Sequence, residues 1–98
     1  MKPYLLQEEE IKELVAKIPG WEIHPKHIER DIIFQNFIDA FSFMTKVALL
    51  AEKYNHHPNW ENVYSRVHIK LTNHDLGGIS SLDQVIASEI NKLYDDEL

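Results

Sequence analysis

The chain has 98 residues, no cysteine and a formal net charge of −6, and 44% of its residues are hydrophobic. The length fits one domain over residues 1–98, and the acidic balance argues against direct contact with nucleic acid, which calls for a basic patch. Because the chain lacks cysteine and a membrane-length apolar run, and begins with the acidic MKPYLLQEEE, we expect a soluble cytoplasmic domain without disulfides or a secretory signal.

The first half of the chain predicts a helix, two strands and a second helix. Apolar residues recur at helical spacing over Glu8–Lys17, and Pro19-Gly20 ends this helix. Two short strands follow at Trp21–His24 and Ile28–Phe34, separated by a turn. Asn36 is a good N-cap for the next helix, which therefore begins directly after it.

The helix expected over Phe37–Tyr54 is apolar on more than one side. A surface helix of a small domain normally shows one apolar stripe, and a 98-residue chain has little left to cover a second. We therefore expect this helix to pack against another subunit, giving a homo-oligomer. Phe43 and Leu49 lie on different sides of it, so one of them should face the core and the other a subunit.

The second half of the chain predicts paired strands and a last helix. Residues 63–71 alternate in polarity, which is typical of one strand, or of two broken by a bulge, with one face on the core. Ser80 and Asp83 form a capping box that opens the last helix. The order α-β-β-α-β-β-α predicts an α+β fold, a four-stranded antiparallel sheet with three helices packed on one face. The residues expected on the core side of this segment are Val63, Ser65, Val67, Ile69 and Leu71.

Two adjacent histidines stand where the second helix ends, in the stretch NHHPNW. Pro58 disfavours the helical conformation for His57, so the helix should end near His56, and both rings can then face one cleft. An unperturbed pKa of about 6.5 suits imidazole to general acid–base work near neutrality. Glu52 lies one helical turn before His56 and can orient it or pair with it. His74, beyond the alternating segment, is the third candidate.

Purely structural roles are open for several of these residues. The His56-His57 pair is as compatible with a solvent-facing turn as with catalysis. Capping is a sufficient role for Asp83, and Trp21 can simply belong to the core. The histidines that we expect to be exposed and without function are His24, His27 and His68.

Three histidines without cysteine also allow a zinc site of the catalytic kind. Such a site needs outer carboxylates to orient its ligands, and Glu52 or Asp75 could serve. The spacing matches no common zinc motif, so we expect no metal. The chain also has no Ser-His-Asp elbow, P-loop or dinucleotide-binding glycine pattern.

Five parts of the chain together resemble the signature of the pterin-4a-carbinolamine dehydratases: Glu52, His56-His57-Pro58, Tyr64, His74 and Asp83. The resemblance extends over about Gly20 to Leu93 and includes FMTKVALLAEK, NVYSRVHIKL and GGISSLD. Among the members of this family, the sequence motifs are most similar to those of the animal-type proteins. A match to all five parts of a signature identifies a family far more specifically than a match to any one part.

The resemblance implies dehydration of 4a-hydroxytetrahydrobiopterin to quinonoid dihydropterin and water, which recycles tetrahydrobiopterin for aromatic amino-acid hydroxylases. It implies neither a metal nor another cofactor. The catalytic set that it implies, with acid and base unassigned, is His56, His57 and His74. The residues that it implies for holding or tuning the site, with Trp21 as an aromatic wall for the flat pterin, are Glu52, Asp83 and Trp21.

The family's fold is a four-stranded antiparallel sheet backed by three helices, and its members form dimers and tetramers. Some animal-type members also serve as a dimerisation cofactor of a homeodomain transcription factor, bound through the face of the second helix. The resemblance therefore implies an alternative, non-enzymatic function as a coactivator. It also implies such a factor as a partner and the nucleus as a second location.

Overall fold

The computed structural model describes residues 2–97, whose seven elements follow one another in the expected order. The helices are α1 (Glu8–Lys17), α2 (Phe37–Tyr54) and α3 (Ser81–Glu97). The strands are β1 (Glu22–Ile23), β2 (Ile28–Ile33), β3 (Asn59–Val63) and β4 (Arg66–Leu71). Neighbouring strands are antiparallel, in the order β1-β2-β4-β3. The predicted α+β fold is therefore confirmed.

The core lies between the helices and one face of the sheet. The pairing of Ile28 with Leu71 and of Ile32 with Val67 brings the apolar residues of β2 and β4 to the same face. The intervening residues of both strands, such as Glu29 and His68, face the other way. The helical side chains that fill the core and are at most 1% exposed include Leu14, Phe43, Val47, Ile86 and Ile90. The three helices thus cover one face of the sheet and leave its opposite face open.

Residues 59–71 form a hairpin, not a single strand or a bulged one. Tyr64 and Ser65 form the turn, and Tyr64 adopts a positive φ of 51°. Because the turn resets the alternation, Val63 is 65% exposed on the open face. The prediction that Val63 faces the core was wrong, whereas it was confirmed for Val67, Ile69 and Leu71.

The caps of α2 determine where the two adjacent histidines emerge. At its start, Asn36 Oδ1 accepts a hydrogen bond from the backbone N–H of Asp39 at 2.8 Å, as the sequence predicted. At its end, Asn55 takes the left-handed conformation with φ 50° and ψ 45°. The N–H of His56 then donates to the carbonyl of Ala51 at 3.0 Å. The chain leaves the helical path at Asn55, one residue before the first histidine.

One side of α2 is buried and another is apolar but exposed. Phe43 is fully buried in the core, whereas Leu49 is 68% exposed, which settles which of the two points outward. Near the start of the helix, Phe37, Ile38 and Phe41 are 44%, 74% and 54% exposed. The Phe37 and Phe41 rings lie 5.4 Å apart. Neither α2 nor any other helix within residues 2–97 is long and apolar enough to cross a membrane.

Candidate active site

A cavity of about 600 Å³ lies where α2 ends, beside the loop that joins β4 to α3. His56, His57 and His74 all line it. The three histidines that were expected to act together therefore share one cavity, although His57 and His74 lie 17 positions apart in the sequence. The remaining lining comes from Pro3, Tyr54, Asn55, Thr72, Asn73, Asp75 and Leu82.

His56 is held by a buried carboxylate. Its Nε2 lies 2.5 Å from Oδ1 of Asp83, whose side chain is 0% exposed, while that of His56 is 13% exposed. An ionised carboxylate can only accept hydrogen bonds, so Nε2 carries the proton and Nδ1 is left for a substrate. A carboxylate in this position fixes the tautomer of an imidazole and stabilises the imidazolium form, as it does in Ser-His-Asp hydrolases.

The other oxygen of Asp83 caps α3. Oδ2 accepts hydrogen bonds from the backbone N–H of Ser80 at 2.7 Å and from its hydroxyl at 2.9 Å. The N–H of Asp83 donates in return to Ser80 Oγ at 3.3 Å. This is the predicted capping box. The two oxygens of one carboxylate therefore cap α3 and bind His56 at the same time.

His57 pairs with Glu52, and this corrects the expected partner of that glutamate. His57 Nε2 lies 2.5 Å from Glu52 Oε2. We expected Glu52 to lie beside His56 at helical spacing, but the left-handed Asn55 takes His56 off the helix toward Asp83. The side chains of His57 and Glu52 are 54% and 75% exposed, so water screens their attraction far more than it screens the buried pair.

His74 is presented by a short ordered turn after β4. The N–H of Asn73 donates to the carbonyl of Gly78 at 2.8 Å, and the N–H of Gly77 donates back to Asn73 at 2.9 Å. Gly77 has a φ of 81°, which suits glycine and lets the turn close. His74 is exposed next to these bonds, so its imidazole can exchange protons with water.

The N-terminal segment also contributes to the cavity, a role that we did not anticipate. The N–H of Leu6 donates to the carbonyl of Ile79 at 2.9 Å, and the N–H of Ser81 donates to the carbonyl of Tyr4 at 2.8 Å. This pairing brings Pro3 into the lining. So short an extended segment has no periodicity by which the sequence could reveal it.

Trp21 does not line the cavity. It is 6% exposed in the core, and its indole N–H donates to Asn91 Oδ1 at 2.8 Å. The expected aromatic wall is therefore not formed by Trp21. Tyr54, which the sequence marked only as the last residue of α2, supplies an aromatic ring to the lining instead.

The remaining histidines are not the exposed residues that we expected. The side chains of His24, His27 and His68 are 37%, 24% and 20% exposed, and each has a ring nitrogen within 3.1 Å of a Glu29 carboxylate oxygen. They lie outside the lining of the 600 Å³ cavity.

Comparisons with known proteins identify the family of this chain. A Prochlorococcus marinus (strain MIT 9515) protein named as a pterin-4-alpha-carbinolamine dehydratase is 70% identical over 95 residues, 97% of this chain and 99% of its own. A protein of the same name from strain MIT 9313 is 47% identical over 93 residues, 95% and 97% of the two chains. The crystal structure of a transcriptional coactivator/pterin dehydratase from Brucella melitensis is similar with a TM-score of 0.85 and 38% identity, covering 90% of this chain and 96% of that one. Residues 4–93 match the family described as Pterin 4 alpha carbinolamine dehydratase, and the chain belongs to that family.

Proposed function

We propose that the protein dehydrates 4a-hydroxytetrahydrobiopterin to quinonoid dihydropterin and water, in the recycling of tetrahydrobiopterin, and that it does so in the cytoplasm. The convergence of His56, His57 and His74 on one cavity supports this most directly. Membership of the family supports a dehydration. A cavity of about 600 Å³ also has the volume range of sites that bind small molecules.

The reaction needs two proton transfers. The bond from C4a to its hydroxyl oxygen breaks, and hydroxide is a poor leaving group unless a proton reaches it as it departs. A ring nitrogen of the pterin loses its proton, and the electron pair of that N–H bond forms the new double bond to C4a. One proton is given and one is taken, so water is the only other product. Imidazoles with pKa values near neutrality can perform both transfers.

The surroundings of the three histidines favour different roles. Buried Asp83 stabilises the positive charge that His56 acquires when its Nδ1 accepts a proton, so we assign His56 the removal of the ring-nitrogen proton. His57 and His74 are exposed and regain protons from water, which suits delivery of a proton to the departing hydroxyl. Glu52 orients His57 through their hydrogen bond.

Stopped-flow spectroscopy of 4a-hydroxytetrahydrobiopterin, with and without the protein, tests the proposal. We expect the protein to accelerate loss of the carbinolamine absorbance, and to do so equally after treatment with a chelator. The reason is that imidazoles supply both proton transfers. Activity that a chelator abolishes and zinc restores would contradict the histidine mechanism. No acceleration over the uncatalysed rate would contradict the function itself.

The exposed apolar side of α2 favours a second function, as a dimerisation cofactor of a homeodomain transcription factor. Phe37, Ile38, Phe41 and Leu49 are all exposed on this helix, and soluble monomers rarely expose large contiguous apolar patches. We propose that copies of the chain cover this side in a dimer or tetramer with closed symmetry. A helix of the transcription factor is the alternative occupant of the same surface, in the nucleus.

Charging this side of α2 should separate association from folding. Leu49→Glu places a charge on the 68% exposed residue and is expected to lower the oligomeric state while the chain stays folded. Phe43→Glu buries a charge at a fully buried site and is expected to unfold the chain. Light scattering and circular dichroism measure the two effects.

Val15→Glu is the matched control, because Val15 is 70% exposed but lies on α1. It should change neither the oligomeric state nor the fold. A stable wild-type monomer at micromolar concentration would contradict the proposed association.

A further inference from the structure

Three histidines and a glutamate gather on the open face of the sheet, in a group that we call the hairpin cluster: His24, His27, Glu29 and His68. His24 and His27 close the turn between β1 and β2, where the N–H of His24 donates to the carbonyl of His27 at 2.9 Å. Glu29 follows on β2, and His68 lies on the neighbouring strand β4. None of the four lines the 600 Å³ cavity.

Two imidazole nitrogens converge on one carboxylate oxygen. The distance to Glu29 Oε1 is 2.8 Å from His27 Nε2 and 3.1 Å from His24 Nε2. The three ligand atoms offered by these residues all lie within 4.8 Å of one another. In a tetrahedral zinc site with bonds of about 2.0–2.1 Å, neighbouring ligand atoms are about 3.3 Å apart. One ion can therefore contact all three atoms after small side-chain adjustments.

The ring nitrogen of His24 lacks a hydrogen bond. His24 Nε2 is buried and has no hydrogen-bond partner within residues 2–97. Its contact with Glu29 Oε1 does not have the geometry of a hydrogen bond, and that oxygen already bonds His27. A buried polar atom normally has a partner, and a neutral imidazole nitrogen is the commonest metal ligand.

The second oxygen of the Glu29 carboxylate, Oε2, is positioned by His68. His68 Nε2 lies 2.8 Å from Glu29 Oε2, and its Nδ1 lies 2.6 Å from Asp31 Oδ1. Hydrogen bonding to His27 lowers the pKa of Glu29, and hydrogen bonding to His68 lowers the pKa of Asp31, so both carboxylates are ionised near neutral pH. Outer partners of this kind orient the carboxylates that bind metals.

We propose that His24, His27 and Glu29 bind a divalent transition-metal ion of the zinc type, with water as the fourth ligand. Two imidazoles and a carboxylate suit Zn²⁺, Co²⁺, Ni²⁺ and Cu²⁺, whereas Mg²⁺ and Ca²⁺ prefer sites built of oxygen. The stacked His24 and His27 rings, 4.4 Å apart with 9° between their planes, tilt toward the ion when it binds. Because β1 has only two residues, the ion would also cross-link a weakly paired edge of the sheet. The ion takes no part in the proposed dehydration.

Zinc binding to the full chain can be measured by calorimetry and by imidazole NMR. We expect zinc chloride to shift the ring signals of His24 and His27 in the wild-type protein. The variant with His24→Ala and His27→Ala should bind zinc at least about 100-fold more weakly, because two of three protein ligands are lost. His68→Ala should weaken binding about 10–100-fold, as loss of an outer partner usually does. Free zinc at a hundred times Kd should raise the Tm of the wild type by roughly 10–20 °C, but not that of the double variant.

Matched controls identify the site. Glu29→Gln should lose zinc, whereas Glu61→Gln, on the same face of the sheet and outside the cluster, should keep the wild-type affinity. His57→Ala and His74→Ala should keep it as well. His27 and His74 both line a separate depression of about 290 Å³, so a His74→Ala variant that loses zinc would place the ion there and overturn the proposal. The proposal would also be overturned if the ring signals of His24 and His27 in the wild type did not move at millimolar zinc. This measurement needs no variant, so it tests the proposal even if a variant fails to fold.

Discussion

Replacing His56 with glutamine is expected to slow dehydration by about 10²–10⁴-fold, the usual contribution of a general acid or base. A glutamine amide can still donate a hydrogen bond to Asp83 Oδ1, which otherwise would be left buried and unpaired. It cannot accept a proton in the reaction. The loss should therefore appear in kcat while the Tm stays close to that of the wild type. His57→Ala and His74→Ala should fall in the same range of rates.

The histidines of the hairpin cluster are the controls for this series. His27→Ala and His68→Ala remove imidazoles that lie outside the 600 Å³ cavity and should keep nearly the wild-type rate. Stopped-flow spectroscopy measures the dehydration rate of each of the five variants, and thermal melts show whether each variant is folded. Equal rates for all five variants would show that His56 and His57 have a structural role and no catalytic one.

Asp83→Ala is expected to lower both the stability and the rate. Its loss from the capping box leaves the buried Ser80 donors without a partner, which costs about 1–3 kcal/mol of unfolding free energy. Asp83→Asn retains an acceptor for Ser80 and should cost less stability. Its amide nitrogen cannot accept the hydrogen bond from His56 Nε2, so the rate should still fall about 10²–10⁴-fold.

Asp39→Ala is the matched control for the stability effect. Asp39 occupies in α2 the position that Asp83 occupies in α3, the third residue of the helix. Its position in the first turn suits the helix dipole, an effect worth about 0.3–1 kcal/mol. Urea denaturation that gave the same loss for Asp39→Ala and Asp83→Ala would contradict the dual role of Asp83. So would an Asp83→Asn variant with the wild-type rate.

The sequence predicted the parts of the fold and site that depend on neighbouring residues. Three features were predicted correctly: the Asn36 cap, the end of α2 and the capping box of Asp83. Each of them depends on residues that are only a few positions apart in the sequence. The alternation along β4 likewise identified which of its side chains are buried, because period two is a local property of a strand. The confirmed fold follows from these local signals added in chain order.

The sequence failed where the outcome depends on one unusual backbone conformation or on distant contacts. The left-handed Asn55 decides that Glu52 pairs with His57, and helical spacing cannot anticipate it. Trp21 is fixed by Asn91, 70 residues away in the chain. The hairpin cluster includes His68 because strand register brings it next to Glu29, and no local pattern reports that register.

The pairing of residues 4–6 with residues 79–81 has a consequence for how the protein is handled. Pro3 is part of the cavity lining, so a purification tag joined ahead of it would begin next to the cavity. The opposite end of α3 offers a better attachment point. A 17-residue helix is about 25 Å long, and the residue through which it contacts His56, Asp83, lies in its first turn. Fusion partners, dyes and surface anchors attached there would leave the entrance of the cavity clear.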